Sequence, residues 1–189
     1  MADFDYKTFT PEEFRKQLPR ASRWVLEQER FILGQGVPLT SPQRADAKLA
    51  GVAFPAKVRL LRVREIPMPE HSFLRAGLEA MKLNTSLTPG LALRYGIFIR
   101  SEYWGQRWYL VHEFAHTGQY ERLGSVRAFI ECFLFQCLAV GYPSAPMEQE
   151  AILMAQRICG PSPAPRATPV VWQTGPMGTP PIKGRRPHR

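Results

Sequence analysis

Arg107-Trp108-Tyr109-Leu110-Val111-His112-Glu113-Phe114-Ala115-His116-Thr117-Gly118-Gln119-Tyr120 is the stretch on which the reading of this chain turns. It contains no proline, and its apolar residues fall on nearly every side of a helix, so it is expected to be a buried helix. Four residues turn an α-helix through about 400°, which puts His112 and His116 on one face about 6 Å apart along the axis. With only 4 histidines in 189 residues, chance placement of two of them around a glutamate at this spacing is rare. A buried polar group needs a partner, and two stacked imidazoles on an apolar helix share an obvious one, a metal ion.

Two imidazoles suit zinc, and Glu113, one step round the helix from His112, sits where it can take a proton from water attacking a carbonyl. Zinc lowers the pKa of such a water to about 7. A tetrahedral ion with an open position needs a third protein ligand, and the chain offers Glu148 and Glu150 in a helix opening at Pro143-Ser144-Ala145-Pro146-Met147. Either would face the histidines if the helix between doubles back. A first-turn carboxylate also interacts favourably with its own helix dipole, which is the plain alternative for both.

The run His-Glu-Phe-Ala-His-Thr-Gly-Gln-Tyr-Glu-Arg-Leu-Gly from His112, followed by Gly-Tyr-Pro-Ser-Ala-Pro-Met-Glu-Gln-Glu-Ala from Gly141, resembles the gluzincin class of zinc metallopeptidases, and more narrowly small bacterial proteins of that type. The likeness covers about residues 88 to 155. It implies zinc held by His112, His116 and a later glutamate, Glu113 as general base, and a peptide or protein substrate. It also implies a zincin-like fold, a small twisted sheet packed on the H-E-x-x-H helix. Likeness to the prenyl-protein peptidases selects Glu148 as the third ligand, whereas the thermolysin-like Glu-Ala spelling selects Glu150. Many gluzincins carry an acid four residues after that ligand; here those positions are Ile152 and Met154, a departure from the pattern. Gln119 or Tyr120 would contact substrate or orient a ligand, with packing the plainer role for Tyr120. Tyr142 is a candidate to polarise an oxyanion. Arg122, Arg127 and Glu131 read as solvated or locally paired.

Outward from this region, the fold class reads as α+β. Thr10-Pro11-Glu12-Glu13 opens a first helix with a capping box, a second runs from Ala21 to Leu33 after Pro19, and Gly34 and Gly36 end it. On this reading Trp24, Gln28 and Phe31 share a face with Val25 and Ile32. Ser41-Pro42 opens a short helix closed by Gly51. Residues 57–64 suit a strand, and residues 72–81 a helix. Leu91 to Arg100 alternates as one strand with a single apolar face, and it would pair with an extended substrate if its edge is open; Arg94 and Arg100 would then favour acidic side chains. Ser125 to Val140 and Pro146 to Ile158 are helices separated by Gly141.

The formal charge is +9, from 25 Lys and Arg against 16 Asp and Glu. Residues 160–189 hold five of the cations and no acid, together with eight prolines and four glycines, and read as a disordered basic tail; residues 1–159 read as a single domain at +4. The cations at the end are too few for a nucleic-acid footprint, so a solubilising end is expected. Cys132, Cys137 and Cys159 cannot all pair and sit in apolar helical contexts, which points to a reducing compartment, the cytoplasm. The apolar run 128–141 is too short for a membrane span and contains Glu131. A non-catalytic metal-binding or protein-interaction module with a basic tail is the competing reading.

Overall fold

The computed structural model describes residues 10–80 and 88–163. Among them are six α-helices and a four-stranded mixed sheet, so the fold is α+β. The elements are α1 (Pro11–Gln35), β1 (Val37–Pro38), α2 (Ser41–Leu49), β2 (Arg59–Val63), α3 (Ser72–Ala80), β3 (Gly90–Leu93), β4 (Gly96–Arg100), α4 (Arg107–Leu123), α5 (Val126–Val140) and α6 (Pro146–Cys159). The sheet order is β1-β2-β4-β3, with β2 and β4 parallel and the other pairs antiparallel.

Local signals account for most helix ends. Thr10 caps α1, its hydroxyl accepting from the Glu13 N–H at 3.2 Å, while the Glu13 carboxylate takes Lys16 Nζ at 2.8 Å. Thr40 and Gln43 complete a reciprocal capping box on α2. Ser125 caps α5, and Gly124, at φ 76°, closes α4 in the left-handed conformation that glycine adopts without strain.

Two expectations are corrected. Pro19 does not divide two helices; it lies inside a single 25-residue α1. An internal proline costs about 3 kcal/mol. The buried stripe Phe14, Leu18, Val25 and Ile32 crosses that position, and at roughly 2 kcal/mol per buried side chain it outweighs the proline. Phe31, expected on this face, is 55% exposed.

The second correction concerns residues 91–100, which form a hairpin instead of one strand. Arg94 sits at φ 62° in the turn between β3 and β4. Neither central residue, Arg94 or Tyr95, is a glycine, asparagine or aspartate; Gly96 closes the turn opposite Leu93, and Glu29 of α1 holds it from outside. The buried Glu29 carboxylate accepts from Arg94 Nε at 2.8 Å and from the Tyr95 N–H at 3.1 Å. Thr117 of α4 fastens the Arg94 carbonyl from the other side, its hydroxyl donating at 2.8 Å.

The sheet is covered on both faces, so β4 has no wet side. Leu93 and Phe98 enter a core with Leu18 and Ile32 of α1 and Phe129 and Phe133 of α5. Ala92, Ile97 and Ile99 enter a second core with Leu110, Val111 and Phe114 of α4 and Ala47 of α2. No single helix among the described residues is long and apolar enough to cross a membrane. Met81, the first residues of the chain and most of the basic tail lie outside the described residues.

Candidate metal centre

Helix α4 runs beneath β3 and is buried from Glu113 through Tyr120. At Gly124 the chain turns into α5, and after Gly141 it returns as α6, which packs along α4. This return brings the first turn of α6 to the histidine face. His112 Nε2 and His116 Nε2 lie 3.2 Å apart. Glu148 spans both, with Oε1 at 3.4 Å from His112 Nε2 and Oε2 at 3.3 Å from His116 Nε2. These three residues are the group of potential metal ligands found among the described residues.

The spacing tests whether a metal fits. Ligand atoms about 2.05 Å from a tetrahedral zinc are separated by about 3.3 Å along the edges. The 3.2 Å between His112 Nε2 and His116 Nε2 matches that edge. The 3.4 and 3.3 Å approaches are to different oxygens of Glu148, and one ligand atom from each residue lies within 4.8 Å of the others, close enough for a shared ion. The donor set, two neutral imidazoles and a carboxylate, is one that zinc accepts with a position left open.

Glu150, two positions further along α6, points elsewhere. It pairs with Arg122 of α4 at 2.7 Å and accepts from Gln119 Nε2 at 3.0 Å. Gln119 is the residue whose job the structure makes explicit. Its Nε2 also donates to the Met147 carbonyl at 2.8 Å, and its Oε1 faces His116 Nδ1 at 2.8 Å. Both partners of Nε2 are acceptors, which fixes the amide orientation and obliges His116 Nδ1 to carry the hydrogen. The lone pair of the neutral ring is therefore on Nε2, toward Glu148 and His112. No acid lies four residues beyond Glu148 or Glu150; the group facing His116 Nδ1 is the Gln119 amide, with the Glu150 carboxylate behind it.

His112 is held by packing, its ring stacked on Trp108 at 5.7 Å between centroids. Phe133 meets His116 edge-on at 5.8 Å. Tyr142, considered for an oxyanion, donates its hydroxyl to Glu148 Oε1 at 3.1 Å. Tyr120 packs, stacked on Phe129 at 3.5 Å. Arg94 and Arg100, considered for acidic substrate side chains, are in ion pairs with Glu29 and Glu102. Glu131 pairs with Arg15 at 3.5 Å.

Burial dominates the electrostatics. It pushes His112 down to about 4, helped by His116 and opposed by Glu148. Burial also acts to lower His116, but the hydrogen bond and charge of Glu148 outweigh it and hold that ring above its ordinary value. For Glu148 the same pair works in reverse: burial favours the neutral acid, yet the two histidines and the Tyr142 hydroxyl keep its pKa below the usual range. Glu113, fully enclosed, is raised to about 7 by burial, with Glu148 adding and His116 and the Ala92 N–H opposing. Gly90 makes room for it, since a Cβ there would lie 2.9 Å from Glu113 Oε1 and 3.0 Å from its Cγ. Neither the Ala92 contact nor the Gly90 clearance has a signature in sequence, because both arise where β3 crosses α4.

β3 is one of the two edge strands of the sheet. The Arg100 N–H donates to the Pro89 carbonyl at 2.9 Å, so with Leu91 opposite Phe98 the backbone groups of Gly90 and Ala92 turn outward. No protein-family model, curated protein or solved structure matches this chain.

Proposed function

We propose that this chain is a zinc-dependent hydrolase of the gluzincin type, with a zincin-like arrangement of sheet and H-E-x-x-H helix, that cleaves peptide bonds. The observation that carries the reading is the cluster of His112 Nε2 and His116 Nε2, 3.2 Å apart, with a Glu148 oxygen within 3.4 Å of each, beside a buried Glu113. His112, His116 and Glu148 would hold the ion. When bound, zinc supplies a Lewis acid that acidifies water and polarises a carbonyl.

The remaining chemistry belongs to the protein. Glu113, buried beside the ligand residues and raised by that burial in the metal-free protein, would accept a proton from water and return it to the departing amine. The Ala92 N–H keeps the carboxylate turned toward β3. Gln119 fixes the tautomer of His116, and Tyr142 and the two histidines keep Glu148 ionised. With the Ala92 N–H held by Glu113, the Gly90 N–H and the carbonyls of Gly90 and Ala92 are the groups on this side of β3 that an extended peptide would pair with.

The test is elemental analysis joined to a cleavage assay on a quenched-fluorescence peptide library. Purified protein is expected to carry about one zinc per chain. Glu113→Gln should keep the zinc and lose turnover, and His112→Ala should lose both. Turnover retained in Glu113→Gln refutes the general-base assignment. A fold that collapses on chelation yet cleaves nothing supports instead the closed structural site of an interaction module.

A further inference from the structure

Behind the three ligand residues the wall of the site turns apolar. A cavity of about 380 Å³ runs from His112, Glu113, His116 and Glu148 between α1, α3, β3 and α5. Trp24 of α1, Phe73 and Leu74 of α3, and Phe133 and Leu134 of α5 wall it. Among its described lining residues there is no lysine, arginine, aspartate or amide side chain, and Glu113 and Glu148 are its carboxylates. A charged substrate group inside would leave water and meet no counter-charge beyond the site itself, which is strongly unfavourable. An apolar group would leave water at a gain proportional to its area.

The volume and the neighbouring strand narrow the occupant. An apolar cavity of about 150 Å³ suffices for benzene, so this one has room for two ring-sized side chains. Thr88 to Leu93 form one wall, and within it the Gly90 N–H and the carbonyls of Gly90 and Ala92 face away from β4, the Ala92 N–H being held by Glu113. An extended peptide paired there would put residues two apart on the same side.

We propose that this cavity is the specificity pocket of the site, and that the substrate is an extended peptide carrying bulky apolar residues at two alternate positions on one side of the cleaved bond. The substrate class rests on the hydrolase reading; the pocket's preference does not need the ion to be present.

The experiment uses chelator-treated full-length protein and two probes, acetyl-Phe-Ala-Phe-amide and acetyl-Asp-Ala-Asp-amide, followed by tryptophan fluorescence and calorimetry. The phenylalanine peptide is expected to bind at least tenfold more tightly. Ala21→Phe, which fills the α1 side of the cavity, should abolish that binding without changing zinc content; Leu74→Trp on α3 does the same job if the first variant melts early. Equal affinity for the two probes, or undiminished binding in both variants, overturns the proposal. So does saturable binding of a sixteen-carbon fatty acid with neither peptide bound. Selective binding of the phenylalanine peptide with no hydrolysis by zinc-loaded protein upholds the pocket and refutes the hydrolase reading. Hydrolysis of the peptide library without apolar preference does the reverse.

Discussion

Replacing Gln119 by leucine isolates the amide that stands behind His116. The side chain is 1% exposed and makes contacts of 2.8, 2.8 and 3.0 Å to His116 Nδ1, the Met147 carbonyl and Glu150. Leucine nearly fills the same space and makes none of them. The His116 Nδ1–H and the Met147 carbonyl are left without their partner, at about 1–3 kcal/mol each, so the metal-free variant should lose roughly 3 kcal/mol of stability. The ring also loses the bond that sets its tautomer, and loss of such a partner weakens a metal site by about 10- to 100-fold. Zinc affinity is read by competition with a chromophoric chelator, and coordination by the cobalt absorption spectrum. Gln119→Glu separates the two effects. A carboxylate still accepts from His116 Nδ1, but it has no donor for Met147 and repels Glu150, so stability should fall while zinc affinity stays within a few-fold of the parent. If Gln119→Leu binds zinc within twofold of the parent, the positioning argument is refuted. If the Leu and Glu variants lose affinity equally, the effect is packing alone.

Other outcomes follow from the same geometry. Glu148→Ala should abolish zinc binding as measured by elemental analysis, whereas Glu150→Ala, which breaks a half-exposed pair with Arg122, should leave zinc content unchanged and cost under about 1 kcal/mol; the reverse result would exchange their roles. Gly90→Ala brings a methyl to 2.9 Å from Glu113 Oε1, so steady-state assays should show kcat falling with zinc retained, and an unchanged kcat would mean that Glu113 need not sit where it does. With Glu113 held at about 7 against an ordinary 4.5, the native metal-free chain binds a proton that the unfolded chain has released between those values, and stability falls as pH rises through the window. Glu113→Gln removes that dependence. Thermal melts of chelated protein should therefore show the variant more stable by up to about 3 kcal/mol at pH 8, with the gap closing by pH 4; a gap independent of pH would refute it.

Much of the helical part was legible because its signals are local. The hydroxyl cap at Thr10, the Ser41-Pro42 opening of α2, the glycine at 141, and the i, i+4 spacing of His112 and His116 act within a turn or two of the residues that carry them. A sequence therefore places two imidazoles on one face of a buried helix before any tertiary contact is known. It leaves Glu148 and Glu150 undecided, since both lie at the start of the same helix. Two residues apart on a helix means about 200° of rotation, so only one of them can face the histidines. The packing of α6 on α4 turns Glu148 inward and gives Glu150 to Arg122 and Gln119.

The elements misread from sequence are those in which distant residues overrule local preference. Arg94 occupies a left-handed turn that its own sequence does not announce, because Glu29, 65 positions earlier, supplies the hydrogen bonds that hold it. Pro19 stays inside α1 because the apolar stripe on either side of it is buried against the sheet and α5. Local chemistry in this chain thus determined most helix ends and the pairing of the histidines. Which carboxylate meets them, and where the sheet turns, depended on groups brought together only by folding, whose contact energies exceed the propensities they override.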